Sequence, residues 1–113
     1  MTDHPCRIDP RDFAQFRPDK MGKSTIFRSD RMLVGLNAFE PGQEHSLHAH
    51  AGMDKLYSVV DGNGEFLLEG EEIPMAAGDL LVAPEGVPHG IRNNGSERLL
   101  VLAVLSPAPA GSA

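Results

Sequence analysis

Three histidines are the residues of this sequence with the clearest potential for chemistry. His48 and His50 are separated by one residue in a segment that reads as a β-strand, and His89 follows further along the chain. Because side chains on a strand alternate between its two faces, His48 and His50 are expected to point the same way. Imidazole is a common neutral ligand of zinc, copper, nickel and iron. We therefore predict a metal site built from these three imidazoles.

The approach to His89 strengthens this prediction. On its own, the pair His48 and His50 fits an exposed polar face as well as it fits a metal site. His89, however, follows a segment that contains Pro84, Gly86 and Pro88. The two prolines restrict φ, and the glycine permits a tight reversal of the chain. Such a rigid turn is plausible where one side chain has to be aimed at a fixed point.

The elements around the histidines are predicted to be short β-strands. Apolar and β-branched runs alternate with turn-forming clusters, of which the run at positions 61–64, Asp-Gly-Asn-Gly, is a strong hairpin signal. We predict strands at 24–28, 32–39, around His48 and His50, and at 55–60, 65–68, 73–76, 80–83, 90–92 and 98–105. Many short strands at regular turn spacing indicate an all-β sandwich or barrel.

Both ends of the chain are expected to lie outside the barrel. We predict an irregular segment at 1–23, a β-barrel domain at 24–105 and a disordered tail at 106–113 that contributes little to the site. Within the first segment, Asp9 followed by Pro10 predicts a short helical turn. Phe13 and Phe16 then share one face, and we expect them to cover one end of the core, with a dimer contact as the alternative.

Composition limits the class of protein. The chain has 113 residues, a net charge of −6 and a single cysteine. The acidic charge argues against nucleic acid as a partner. No apolar run approaches the length of a membrane span, and the first residues lack the apolar core of a signal peptide. These features lead us to expect a cytoplasmic protein of one domain, with no membrane partner.

The motifs around the histidines resemble those of the cupin superfamily. The first cupin motif, G-x5-H-x-H-x(3,4)-E-x6-G, aligns with Gly42, His48, His50, Lys55 and Gly62. The second, G-x5-P-x-G-x2-H-x3-N, aligns with Gly78, Pro84, Gly86, His89 and Asn93. Every position but one carries the motif residue. The resemblance implies a small jelly-roll β-barrel with His48, His50 and His89 as ligands of zinc, iron, nickel, copper or manganese.

The departure is Lys55, which occupies the position of the glutamate that usually completes the cupin site. A protonated lysine cannot ligate a cation and repels it. Three interpretations remain open: Lys55 points inward as a cationic anchor beside a three-histidine metal; Asp54 is the fourth ligand; or the metal has been lost and an anion pocket remains. Tyr57 shares the face of Lys55 and is a second candidate catalytic residue, with a core tyrosine as the alternative. Glu44 and His45 are expected to be solvent-facing loop residues.

The resemblance implies a metal-dependent enzyme of small-molecule metabolism. A small carboxylate or dicarbonyl substrate would suit a divalent ion beside Lys55, and dioxygenase, isomerase and decarboxylase chemistry all remain open. The alternative is a non-catalytic module that binds or senses a small ligand. By the same resemblance a homodimer is expected, and the apolar strand at 99–105 together with an open sheet edge gives a physical reason for it.

Overall fold

Two antiparallel sheets make up the fold. The structure, a computed structural model, describes residues 4–110. Within this range the chain forms β1 (Gly22–Arg28), β2 (Leu33–Phe39), β3 (Glu44–His48), β4 (Asp54–Asp61), β5 (Asn63–Leu68), β6 (Glu71–Ala76), β7 (Leu80–Ala83), β8 (His89–Arg92) and β9 (Leu99–Ser106). One sheet has the strand order β1-β2-β9-β4-β7 and the other the order β3-β8-β5-β6. The predicted all-β jelly-roll barrel is confirmed, and most predicted strands match within two residues.

The main core lies between the two sheets. It is formed by inward-facing side chains at alternating positions of the strands, among them Phe39, Tyr57, Phe66, Ile91 and Val101, each at most 2% exposed. Burying side chains of this size is the principal source of stability in a domain of this length. The core fills one part of the barrel and leaves the histidine-bearing part for the site.

The hairpin between β4 and β5 depends on Gly62. This residue has a φ of +84°, a conformation that side chains with a Cβ rarely adopt. A Cβ placed there would also lie 2.2 Å from the carbonyl oxygen of Arg98. Glycine is therefore required for two separate reasons at this position of the first motif.

The N-terminal segment packs on the outside of the five-stranded sheet. The predicted turn is present as a 3-10 helix at Pro10–Phe13, and the side chain of Asp9 accepts a hydrogen bond from the Arg11 amide at 3.0 Å. Phe13 and Phe16 pack on a small cluster formed by Leu36, Ala38 and Leu100. The two phenylalanines thus cover an outer face of the sheet, whereas we had expected them over one end of the main core.

The first residues of the predicted tail lie against the barrel. Ser106 ends β9, and its hydroxyl donates to the carbonyl of Arg31 at 2.9 Å. Ala108 packs against the main core, and Pro109 lines the cavity described below. Residues 111–113 of the predicted tail lie outside the described residues.

The apolar strand β9 is central in its sheet, so it does not supply the exposed apolar surface that we expected from it, whereas the expected open sheet edges are present. β9 lies between β2 and β4, and most of its apolar side chains are buried. Exposed apolar side chains lie instead on the edge strands, with Phe27 on β1 and Leu80 and Val82 on β7. Between residues 4 and 110, no helix is long and apolar enough to cross a membrane.

Candidate metal centre

His48 and His89 face each other across two neighbouring strands. They are a cross-strand pair of the β3–β8 ladder, and their ring centroids are 4.3 Å apart. Gly90 permits this close pairing, because a Cβ at that position would lie 2.5 Å from the carbonyl oxygen of His45 on β3. The strand pairing therefore brings together two imidazoles that are far apart in the sequence.

His50 reaches the same point from a loop. β3 ends at His48, so our placement of His48 and His50 on one strand is wrong. The loop is instead held against the turn before His89: the Gly86 amide donates to the carbonyl of His50 at 2.9 Å, and the Glu85 amide donates to the carboxylate of Asp54 at 3.0 Å. The rigid approach to His89 thus positions His50 as well.

The three imidazoles converge as a ligand set. One ring nitrogen from each of His48, His50 and His89 lies within 4.8 Å of the other two. The Nδ1 atoms of His48 and His89 lie 2.8 Å from the carbonyl oxygens of Ser46 and Val87. A carbonyl oxygen only accepts, so each Nδ1 carries the proton and each Nε2 has a free lone pair. Both Nε2 atoms are buried without a hydrogen-bond partner among the described residues.

This arrangement fits a divalent metal ion. Metal-binding histidines commonly donate one ring N–H to a backbone carbonyl and ligate through the other nitrogen. Burial lowers the pKa of His48 to about 4 and lowers the pKa of His50 and His89 as well, so the rings are neutral at pH 7. Neutral imidazole is the form that binds metal.

His45 also belongs to this region, although sequence reasoning placed it in a solvent-facing loop. It lies on β3, half-buried, with its ring stacked on that of His48 at 4.1 Å. A β-bulge between His45 and His48 shifts the register, so residues three apart are brought to the same side. Burial lowers the pKa of His45 to about 3. Glu44 is on the strand too, and it is exposed and paired with Arg92 at 2.9 Å.

Lys55 is directed into the barrel beside the histidines. It is 7% exposed, and its ammonium lies 4.9 Å from the centre of the Tyr57 ring. Burial lowers its pKa to about 8, with a smaller contribution from the positive charge of Lys23. The side chain therefore remains mostly protonated at pH 7, at an energetic cost.

The two other candidates do not belong to the converging ligand set. Asp54 is exposed, and its carboxylate accepts from the Glu85 amide rather than joining the imidazoles. Tyr57 is a fully buried core residue whose ring contacts those of Phe66 and His89 at 5.9 Å. Its hydroxyl has no partner among the described residues, and burial raises its pKa. Asn93 binds backbone groups: its Nδ2 donates to the carbonyl oxygens of Phe39 and Glu97, and its Oδ1 accepts from the Gly95 amide.

A cavity of about 300 Å³ opens beside the imidazoles and Lys55. This volume suits a small molecule. Its walls combine polar and charged side chains with apolar and small residues. The lining residues are Lys23, Ser24, Leu33, Gly35, Leu36, Asn37, His45, His48, His50, Lys55, Ala103, Leu105 and Pro109.

Known proteins share both this fold and much of this sequence. A family model described as a cupin domain matches residues 35–105. The crystal structure of TT1209 from Thermus thermophilus superposes with a TM-score of 0.86 at 39% identity, covering 91% of this chain and 98% of that one. The oxalate-binding protein of Thermotoga maritima is 37% identical over 85 residues, which is 75% of this chain and 69% of that protein.

A longer enzyme contains a similar region. A gentisate 1,2-dioxygenase from a Ralstonia species is 31% identical over 85 residues, which cover 74% of this chain but only 24% of the enzyme. A stretch of this length in a chain of 113 residues necessarily includes His48 and His50. Fold, motif spacing and sequence similarity agree, and the chain belongs to the cupin superfamily.

Proposed function

We propose that this cupin binds a divalent transition metal ion through His48, His50 and His89 and holds a small carboxylate or dicarbonyl compound against it. The observation that carries the proposal is the convergence of three imidazole nitrogens within 4.8 Å beside the cavity-lining Lys55. A bound ion would act there as a Lewis acid that polarises an oxygen of the ligand. We further propose that this arrangement serves an enzyme of dioxygenase, isomerase or decarboxylase type.

The charge of the site favours an anionic ligand. Three neutral imidazoles leave the charge of a divalent ion uncompensated, and the Lys55 ammonium adds another positive charge. A carboxylate that binds here offsets part of this positive charge and is attracted by both groups. The oxalate-binding relative from Thermotoga maritima supports this choice, because oxalate is a small dicarboxylate.

Lys55 has the role of an anchor in this proposal. Its ammonium offers three donors and no acceptor, so it binds carboxylate or carbonyl oxygen and not metal. Its position on β4, a strand paired on both sides with β7 and β9, keeps its backbone fixed. Tyr57 packs beneath it and against His89, and we propose that Tyr57 positions these two residues.

Metal titration of the stripped protein tests the first half of the proposal. We expect one ion to bind per chain by calorimetry with Zn²⁺ or Mn²⁺, and expect His48→Ala and His89→Ala to lose this binding. His4→Ala, which alters an exposed histidine outside the site, is the matched control. Unchanged binding in both site variants would refute the metal centre.

The second half is tested with oxalate and the metal-loaded protein. We expect oxalate to bind at least tenfold more weakly to Lys55→Met than to the wild type. Incubation of loaded protein with a panel of small carboxylates, followed by NMR, then separates the two classes of function. Consumption of a carboxylate supports an enzyme, and binding without consumption supports the alternative, a module that binds or senses a small ligand.

A further inference from the structure

Asn37 presents a hydrogen-bond donor to the cavity that nothing in the described chain satisfies. It lies in the middle of β2, is 6% exposed and lines the cavity beside the histidines. Its Nδ2 is buried with no partner among the described residues. A buried donor without a partner is costly and uncommon in folded proteins. An oxygen of a bound ligand would satisfy it.

Two charged groups that line the cavity also favour an oxygen-bearing ligand. Lys23 is the cross-strand partner of Asn37 in the β1–β2 ladder, and Lys55 also lines the cavity. Within the part of the chain that the structure describes, no carboxylate is among the lining residues. The cavity therefore offers donors and positive charge in more than one place, and it suits a ligand with more than one oxygen-bearing group.

The strand register separates Asn37 from Lys55. Lys55 pairs with Leu105, and Leu105 pairs with Leu33, which is four residues before Asn37 on β2. Four residues of an extended strand span about 13 Å. The row between them contains the paired residues Gly35 and Ala103, which line the cavity and place no large side chain in it.

We propose that Asn37 is the second anchor of the ligand, donating from Nδ2 to a carboxylate or carbonyl oxygen at the end remote from Lys55. This inference rests on the proposed function, which places the first oxygen-bearing end at the imidazoles and Lys55. It narrows the ligand class to small molecules with oxygen-bearing groups at both ends, such as dicarboxylates and keto acids.

The test compares dicarboxylates with monocarboxylates of the same chain length. Oxalate, malonate, succinate, glutarate and adipate are titrated against acetate, propionate, butyrate, valerate and hexanoate, with and without zinc. We expect at least one dicarboxylate to bind the wild type tenfold or more tightly than its monocarboxylate counterpart. In Asn37→Ala this preference falls below threefold, because the donor is absent.

Two further variants make the result specific. Asn37→Asp keeps the size of the side chain but replaces the donor by a negative charge, so the dicarboxylate preference is expected to disappear or reverse. Asn94→Ala alters an exposed asparagine in a turn and is expected to keep the preference. Zinc affinity, measured in parallel, should be equal in the wild type, Asn37→Ala and Asn94→Ala.

The outcomes separate this inference from the proposed function. If zinc binds and the dicarboxylate preference persists in Asn37→Ala and Asn37→Asp, or is absent from the wild type, the role of Asn37 is overturned and the metal centre stands. If zinc does not bind the wild type, the proposed function fails. The titrations without zinc then still decide whether Asn37 selects ligands with two oxygen-bearing ends.

Discussion

Replacing Lys55 with methionine should stabilise the metal-free protein at pH 7. Burial holds the pKa of Lys55 at about 8, against an ordinary value of 10.5. One pKa unit corresponds to about 1.4 kcal/mol, so keeping the ammonium charged in the folded state costs about 3 kcal/mol. The contact of the ammonium with the Tyr57 ring, which methionine loses, is worth about 1 kcal/mol. We expect Lys55→Met to raise the free energy of unfolding by about 2 kcal/mol.

The same reasoning predicts how the stability difference between the wild type and Lys55→Met depends on pH. Because the pKa of Lys55 is lower in the folded state, the unfolded chain binds more protons between pH 8 and 10.5. The free energy of unfolding of the wild type therefore rises with pH through that window, because Lys55 loses its proton there. Below pH 8 the cost of burying the charged ammonium is fully present. Methionine does not titrate, so the advantage of Lys55→Met should shrink towards zero near pH 10.5.

Urea denaturation of the metal-free wild type and variant at pH 7 and pH 10.5 provides the measurement. Lys23→Met is the matched control, because Lys23 lines the same cavity but is exposed. Its effect should stay within about 0.5 kcal/mol. If Lys55→Met is neutral or destabilising at pH 7, or if its effect is the same at both pH values, the Lys55 ammonium is solvated and our account of its burial is refuted.

Three more predictions follow from the site and its hairpin. Lys55→Glu should bind zinc about tenfold more tightly, a gain of about 1.4 kcal/mol, because it adds a carboxylate where the ammonium stood; unchanged affinity by calorimetry would show that position 55 does not face the metal. Gly62→Ala should lose at least about 2 kcal/mol in urea denaturation, through positive φ and the contact with Arg98. Gly70→Ala, at a φ of +72° in open space, should lose only about 1 kcal/mol, and equal losses would contradict the close contact. Tyr57→Phe removes a buried hydroxyl without a partner among the described residues, so it should raise the free energy of unfolding by about 1 kcal/mol and leave zinc affinity unchanged. A lower free energy of unfolding would mean that the hydroxyl is hydrogen-bonded.

Patterns in the sequence were sufficient to predict the strands and the three histidines whose imidazoles converge. Period-two alternation and turn residues located the strands, and the combination of Asp9 with Pro10 located the 3-10 turn. The three histidines were identified from the His48 and His50 pair, from the proline and glycine residues before His89, and from the resemblance to both cupin motifs. These features depend on neighbouring residues, which a sequence displays directly.

Features that depend on pairing between distant strands were not predictable in this way. The bulge in β3 brings His45 beside His48, whereas a regular strand would place residues three apart on opposite faces. The central position of β9 follows from its pairing with β2 and β4, which its apolar composition does not specify. Asn37 reads as an ordinary polar residue of a strand until the fold reveals that its amide is buried in a cavity.

A lysine in place of the usual glutamate at position 55 alters the charge of the site that we propose. A carboxylate at this position would add a metal ligand and reduce the positive charge of the centre. For the metal centre that we propose, the lysine leaves a coordination position open and keeps the charge high, while Asp54 is engaged by the Glu85 amide and is not positioned to compensate. In that proposal, Lys55 weakens the affinity for the metal and strengthens the attraction for an anionic ligand. Under the proposed function, the ligand therefore supplies the negative charge that a glutamate at position 55 would supply from the protein.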